Sequence, residues 1–92
     1  AVVETNAVFS YNSIQPVVAG SIPENVLQLI LPHVENHERI LKAALTCDRQ
    51  LVYDAFASDP LVKGRATEEE IKALVDDMIH NTAAYLPEGW NA

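Results

Sequence analysis

Hydrophobic and polar residues alternate over residues 2–9, at the start of the chain. This period of two, with several β-branched residues and an aromatic one, predicts a β-strand. Residues 11–13 supply turn-forming side chains and residues 14–18 form a second extended run, so a hairpin with a loop of three to five residues is expected. Pro16 lacks a backbone N–H donor, which places the second strand at an edge. The residues expected to share one face of the first strand are Val3, Thr5, Ala7 and Phe9.

Beyond the hairpin, apolar residues recur every three or four positions, which is the period of amphipathic helices. A capping box formed by Ser21 and Glu24 predicts the start of a first helix, which should reach about Leu31. Pro32 is expected to kink this helix or to start a new one, because proline disfavours a helical residue before it. The helix that follows is expected to have one apolar face, formed by Val34, His37, Ile40, Leu41, Ala44 and Leu45.

Two more helices are predicted in the second half of the chain. Thr46 or Asp48 can cap the first of them, and Asp59-Pro60 should end it. A second capping box over residues 67–70 should start the last helix, which is expected to continue through Tyr85. The residues expected to be buried are Leu51, Val52, Ala55 and Phe56 on the first and Ile71, Leu74, Val75, Met78 and Ile79 on the second.

The predicted fold class is an α+β fragment with an N-terminal β-hairpin and about four α-helices. Residues 1–92 are expected to form a single region, with the hairpin in residues 1–20 and the helical part in residues 21–92. Two strands offer a helical layer little to cover, so a partner sheet is expected from the rest of a longer chain or from another subunit. A strand pattern at the first residue likewise leads us to expect a truncated chain.

Composition narrows the class of protein. Hydrophobic residues make up 49% of the 92 positions, which is enough for a globular core. Six Lys and Arg against thirteen Asp and Glu give a net charge of −7, and a surface of this sign repels nucleic acid and anionic membranes. No apolar run approaches the roughly 20 residues that span a bilayer. A lone cysteine, Cys47, fits a reducing compartment, so a cytoplasmic location is predicted.

Two histidines are the first candidates for a functional site. His33 and His37 are four residues apart, so on a continuous helix both imidazoles would share a face, as metal ligands require. Their spacing around Glu35 matches neither the zinc-protease pattern nor its inverted form, and no third ligand is evident. Two interpretations therefore remain: the histidines bind a metal or, more simply, both lie on a helix surface or in an interface.

Cys47 and the carboxylates are the remaining candidates. Cys47 could lie near a helix N-terminus, which activates thiols, or could fill a tight turn as a small residue. Glu4, held on a strand, could face a cleft or pair with a neighbouring cation. The acids of the last helix, expected on its solvated face, are Glu68, Glu69, Glu70, Asp76 and Asp77. Because the chain has no Gly-rich phosphate-binding loop and no Ser/His/Asp constellation, we assign no catalytic, cofactor-binding or metal-binding residue.

Several segments, taken in order, resemble glycoside hydrolase family 4. The most specific is Ala43-Ala-Leu-Thr46, followed by Asp48-Arg49 and by Asp59-Pro-Leu61. The others are Val2-Val-Glu4, Ile14-Gln-Pro16, Ser21-Ile-Pro23, Glu70 to Val75 and Tyr85-Leu-Pro87. The resemblance covers essentially the whole chain and is strongest to the branch of α-galactosidases, α-glucosidases and α-galacturonidases. One departure is Cys47, at a position where relatives commonly have glycine.

The resemblance implies that the chain is the C-terminal region of a larger enzyme similar to lactate and malate dehydrogenases. In such an enzyme a dinucleotide-binding domain, absent from this chain, precedes a C-terminal α/β catalytic domain. Members of the family use NAD and a divalent metal, commonly manganese, and they depart from two-carboxylate glycoside hydrolysis. In the mechanism that the resemblance implies, the nicotinamide takes hydride from C3 of the sugar, and the resulting ketone acidifies the C2 proton. A base removes that proton and the glycosidic bond is broken by elimination, after which water adds and the hydride returns to C3.

The residues for this chemistry would precede residue 1, so the fragment itself is expected to be structural and inert. The expected partners are the enzyme's own catalytic portion and further subunits of a homo-oligomer, with an α-glycoside as the substrate of the whole enzyme. Nucleic acid and membrane are not expected partners. The alternative, from a different class, is a free-standing acidic helical module that mediates protein association.

Overall fold

A β-hairpin and three α-helices make up the protein, which a computed structural model describes for residues 1–91. The antiparallel strands are β1 (Ala7–Ser10) and β2 (Ser13–Pro16). The helices are α1 (Glu24–Thr46), α2 (Arg49–Ser58) and α3 (Glu68–Asn81). Two short 3-10 helices, Ala83–Tyr85 and Glu88–Asn91, follow α3. The predicted α+β class is confirmed, with three α-helices where about four were expected.

The hairpin is tighter than its sequence predicts. Ser10 pairs with Ser13, so only Tyr11 and Asn12 lie between the strands, and the predicted loop of three to five residues is wrong. The hydroxyl oxygens of the two serines are 2.6 Å apart and join the strands at the turn. Neither loop residue has a positive φ, so the turn differs from the I′ and II′ types that two-residue hairpins usually adopt.

Helix α1 starts later than predicted and then runs without interruption. Pro23 is its N-cap and no side chain accepts a hydrogen bond there, so the capping box of Ser21 and Glu24 is wrong. The helix begins three residues after Ser21, beyond the position that its hydroxyl would need. Pro32 lies inside α1 and cannot donate to the carbonyl of Gln28. Because Gln28 is exposed, water can bind that carbonyl, and the helix continues.

Asp48 is the N-cap of α2, which decides between the two predicted caps. Its carboxylate accepts a hydrogen bond from the backbone N–H of Gln50 at 2.9 Å. The hydroxyl of Thr46 instead donates to the carbonyl of Lys42 at 2.8 Å, within the last turn of α1. Helix α2 ends at Ser58 with Asp59 as its C-cap, as predicted.

The second capping box is confirmed at the start of α3. The backbone N–H of Thr67 donates to the carboxylate of Glu70 at 2.8 Å, and the N–H of Glu70 donates to the Thr67 hydroxyl at 3.2 Å. The helix ends at Asn81, earlier than predicted, because Thr82 is its C-cap and the chain tightens into a 3-10 turn. The Thr82 hydroxyl donates back to the carbonyl of Met78 at 2.7 Å.

The hydrophobic core lies between α2, α3 and the end of α1. Ile71, Val75 and Ile79 are buried and confirm most of the predicted face of α3, whereas Leu74 and Met78 remain about half exposed. Trp90, from the last 3-10 helix, is buried among them, although nothing in the sequence pattern predicted it as a core residue. The other members of the core are buried Ala43 and, partly buried, Cys47, Leu51, Val52, Tyr53, Phe56, Val62 and Leu86.

The predicted apolar face of α1 is not buried. Asn36 and Ala43 are the residues of α1 that pack inside, whereas Ile40, Leu41 and Leu45 are exposed. Helix α1 is joined to α2 by the hydrogen bond from Asn36 to the Ala55 carbonyl, and Ala43 belongs to the core. The larger apolar side chains of α1 lie on a face that residues 1–91 do not cover.

The molecule is elongated because the hairpin and the first half of α1 extend away from the core. The radius of gyration is 17.8 Å, and the extents are 49 × 34 × 17 Å. A compact domain of this length would have a radius of gyration of about 12 Å. Within the described chain the two strands contact each other closely, whereas the contacts between the strands and the helices are sparse. None of the helices in residues 1–91 is both long and apolar enough to cross a membrane.

Candidate functional site

A cavity of about 380 Å³ lies between α1 and α2. Both candidate histidines, His33 and His37, line it because α1 is continuous through Pro32. The rest of its wall is mostly apolar, with Asn36 and Asp59 as further polar side chains. Trp90 also lines this cavity, so the last 3-10 helix contributes to it.

The two histidines share a face, as the sequence predicts, but nothing completes a metal site around them. His33 and His37 are exposed at the rim of the cavity. In the part of the chain that the structure describes, no three His, Cys, Asp or Glu side chains form a group that could hold a metal ion. The arrangement therefore favours the surface or interface interpretation of both residues.

Asn36 is the buried polar residue beside the cavity, and sequence reasoning missed it. Its side-chain amide donates to the carbonyl of Ala55 at 2.9 Å, which joins α1 to α2. Its side-chain oxygen accepts a hydrogen bond from the guanidinium of Arg39. Because both polar ends are satisfied within the protein, Asn36 holds helices together and is not aimed at a ligand.

Cys47 occupies the tight turn between α1 and α2, as the simpler interpretation predicts. Its φ is +53°, in the left-handed region, and it forms the C-cap of α1. Glycine is the residue that best tolerates this backbone conformation. The thiol also restricts its neighbour, because a Cβ added at Gly89 would lie 2.7 Å from Cys47 Sγ. Cys47 is thus a packed structural residue.

Arg49, Tyr53 and Asp76 form a polar cluster that links α2 to α3. The Tyr53 hydroxyl donates to Asp76 Oδ1 at 2.5 Å, and Arg49 Nη1 lies 3.4 Å from the same oxygen. Arg49 Nη2 donates to the backbone carbonyl of Trp90 at 2.9 Å. The cluster therefore fixes the last 3-10 helix to the start of α2, which is in turn tied to the interior of α3.

The hydrogen bond to Asp76 raises the pKa of Tyr53 above its ordinary value, with smaller contributions from burial and from the negative charge of Asp76. Arg49 opposes this shift. Lys72 Nζ lies 5.8 Å from the centre of the Tyr53 ring, so a further cation borders the cluster. No sequence pattern predicts this cluster, because Tyr53 and Asp76 are 23 residues apart and on different helices.

The remaining candidate acids do not converge on a site. Glu68, Glu69 and Asp77 are exposed, which agrees with the solvated face predicted for α3. Glu4 is also exposed and precedes β1, so its predicted position on a strand is wrong. Glu70 serves the capping box, and Asp76 is the one predicted solvated acid that is partly buried. Within residues 1–91 the polar side chains described above hold helices and turns together. The absence of catalytic, cofactor-binding and metal-binding residues stays a prediction.

The chain matches a protein family over two thirds of its length. Residues 1–62, from the hairpin to just beyond α2, match the family described as Family 4 glycosyl hydrolase C-terminal domain. The chain therefore belongs to this family, and the resemblance found in the sequence is confirmed.

Similar curated proteins agree with this family. The chain is 58% identical over 91 residues to the alpha-galacturonidase of Lachnoclostridium phytofermentans and 48% identical over 90 residues to that of Thermoanaerobacterium saccharolyticum. These matches cover 99% and 98% of this chain but only 20% and 19% of the relatives. An alpha-galactosidase of Bacillus subtilis is 30% identical over 88 residues, which are 96% of this chain and 20% of that protein. The chain thus spans about a fifth of the length of these relatives. No solved structure matches it.

Proposed function

We propose that this chain is the C-terminal part of an α-galacturonidase, an enzyme that hydrolyses the glycosidic bond of α-linked galacturonic acid. The observation that carries the proposal is 58% identity, over 99% of the chain, to a protein named alpha-galacturonidase. The alpha-galactosidase is less similar, at 30% identity. The match to an enzyme family favours this function over a free-standing acidic interaction module.

We further propose that the whole enzyme works with NAD and a divalent metal such as manganese, as the family resemblance implies. Residues 1–91 bring no three metal-ligating side chains together, so they do not offer a fitting site for the metal. We therefore assign the binding of NAD and metal to the remainder of the enzyme and derive no chemical step for the residues of this chain.

Within that enzyme, the proposed role of this chain is structural. Its well-packed part, from the end of α1 to Trp90, would form a stable helical unit, and its uncovered part would pack on the catalytic portion. The chain alone would then be catalytically inert. Assembly into a homo-oligomer and a cytoplasmic location also stay predictions.

The test is an assay of the full-length enzyme on matched substrates. Purified enzyme, supplied with NAD and Mn²⁺, is incubated with 4-nitrophenyl α-galactopyranosiduronide and, separately, with the uncharged 4-nitrophenyl α-galactopyranoside. We expect kcat/KM to be at least 100-fold higher for the galacturonide. Comparable rates on both substrates, or none on the galacturonide, would contradict the proposed substrate. Activity that survives both removal of NAD and treatment with a chelator would contradict the proposed cofactors.

A further inference from the structure

The first 35 residues expose apolar side chains that nothing in the described chain covers. Phe9 is 75% exposed, Ile14 is 66% exposed and Leu29 is 74% exposed. Side chains of this size on a hairpin and one helix form a surface of the kind that marks an interface.

The same region is almost free of charge. Residues 1–35 contain no Lys or Arg and only three carboxylates, whereas residues 36–92 contain six Lys and Arg and ten Asp and Glu. Depletion of charged residues is the compositional mark of the centre of a protein interface, where a charge would lose its hydration. Exposure and composition therefore point to the same surface.

The charge pattern also indicates what covers this surface. A symmetric dimer formed through it would bring together Glu4, Glu24 and Glu35 of both copies, with no Lys or Arg in residues 1–35 of either copy to balance them. A different surface can supply the missing complement. Because the chain spans about a fifth of the length of its relatives, the other four fifths of a family 4 enzyme can supply such a surface.

The register of the hairpin shows which strand edge can take part. The N–H of Val17 donates to the carbonyl of Asn6 at 2.8 Å, so residues 6 and 17 form a hydrogen-bonded pair. Hydrogen-bonded and non-hydrogen-bonded pairs alternate along an antiparallel ladder. The next pair, Ala7 with Pro16, and the pair Phe9 with Ile14 therefore direct their backbone groups outward.

The two outer edges differ in their donors. On β1, both Ala7 and Phe9 carry an outward N–H and an outward carbonyl. On β2, Pro16 has no N–H, and only Ile14 can donate. An additional strand needs a regular row of donors and acceptors, which β1 has and β2 lacks.

We infer that the outer edge of β1 pairs with a strand from the remainder of the family 4 enzyme. In the whole enzyme β1 is then an inner strand, β2 is the edge strand, and the apolar side chains of the hairpin and of the first half of α1 pack on the enzyme's main body. This inference rests on the proposed function only in taking the chain as part of a longer enzyme.

Amide hydrogen exchange in the full-length enzyme, read at single residues by mass spectrometry, tests the pairing. We expect the Phe9 amide to exchange at least 100-fold more slowly than the Ile14 amide, because only the former would be hydrogen bonded. The Ala7→Pro variant should speed exchange at Phe9 at least tenfold, and the control Ile14→Pro should leave it unchanged. Fast exchange at Phe9, or equal protection at Phe9 and Ile14, would overturn the inference.

A cross-linking experiment identifies the covering surface. The full-length enzyme, with Phe9 replaced by the photoreactive p-benzoylphenylalanine, is prepared as a mixture of light and ¹⁵N-labelled chains and irradiated. We expect products within a single chain, light to light or heavy to heavy, that join position 9 to a peptide outside residues 1–92. Mixed light–heavy products at position 9 would overturn the inference in favour of a second copy. Neither readout uses glycosidase activity, so the result stands whichever substrate the enzyme prefers.

Discussion

Residues 1–35 and residues 36–91 have similarly apolar sequences, yet they use their apolar residues in opposite ways. All the fully buried residues lie from Asn36 onward, among them Val75, which is only 1% exposed. In the first region Leu27, Pro32, Val34 and Ala7 are partly buried and everything else is exposed. The helical region therefore has its own core, and the hairpin region depends on something outside it.

This difference shows where the fold is self-sufficient. Helices α2 and α3 and the last 3-10 helix pack against one another through buried side chains, and the Arg49–Tyr53–Asp76 cluster adds hydrogen bonds between them. A two-stranded hairpin cannot do the same, since two strands without a covering layer are marginally stable in water. Substitutions in the two regions should therefore have different effects in the isolated chain and in the whole enzyme.

The largest effect is expected for Trp90→Ala. Trp90 is buried in the core, so its removal should lower the free energy of unfolding of the 92-residue chain by about 3 kcal/mol. Leu29→Ala, in the exposed region, is the control and should change it by about 0.5 kcal/mol or less. Urea unfolding followed by circular dichroism measures both.

The same pair of variants in the full-length enzyme sharpens the comparison. Leu29→Ala should there become destabilising by about 2 kcal/mol, because the proposed covering surface would bury Leu29. Equal, small effects of Leu29→Ala in the chain and in the enzyme would show that this part of α1 stays exposed, and the contrast between the two regions would fail.

A smaller loss is expected for Gly89→Ala, which tests the packing of the last 3-10 helix. The added Cβ would lie 2.7 Å from Cys47 Sγ, so the segment that carries Trp90 must shift, at a cost of about 2 kcal/mol. The control is the same substitution in a Cys47→Gly background, where the sulfur is gone and the cost should fall below about 0.5 kcal/mol. If both backgrounds lose the same stability, the contact with Cys47 is not the cause.

Asn36→Ala probes the boundary between the two regions. Loss of the hydrogen bond to the Ala55 carbonyl should destabilise the chain by about 1–2 kcal/mol. Asn25→Ala, an exposed asparagine at the start of the same helix, should be within about 0.5 kcal/mol of the unsubstituted chain. Urea unfolding measures the free energy of unfolding of both variants. Similar losses for the two would show that Asn36 contributes no more to stability than an exposed asparagine does.

Local features of the fold could be predicted from the sequence because they depend on neighbouring residues. The capping box of Thr67 and Glu70, the end of α2 at Asp59 and the buried stripe from Ile71 to Ile79 all follow from spacing along one segment. Features that depend on partners distant in sequence could not be predicted. Trp90 is buried because α2 and α3 lie beside it, and no pattern within residues 86–91 indicates this.

The apolar face of α1 is a second feature whose burial could not be predicted from the sequence. Its apolar spacing is real, but periodicity shows only which residues share a face and not whether anything in the chain covers it. Ile40, Leu41 and Leu45 form such a face and remain exposed, and the helix packs instead through Asn36 and Ala43. The polar cluster around Asp76 was missed for a related reason, since an acid on a helix is solvated unless a distant residue meets it.

The smallest expected effect concerns Tyr53 and its dependence on pH. Because the pKa of Tyr53 is raised in the folded chain, its hydrogen bond to Asp76 stabilises fully below the unfolded pKa of about 10, and this contribution declines as pH rises above that value. Tyr53→Phe should therefore cost about 1 kcal/mol or less at pH 7, a modest value for a partly exposed bond. The gap between the two proteins should narrow as pH rises above about 10, since the unfolded tyrosine loses its proton first. Urea unfolding at pH 7, 9, 10 and 11 measures this gap, with the exposed Tyr85→Phe as a control that should show none. A gap that stays constant to pH 11 would mean that packing of the ring, and not the hydrogen bond to Asp76, is what Tyr53 contributes to the self-sufficient half of the molecule.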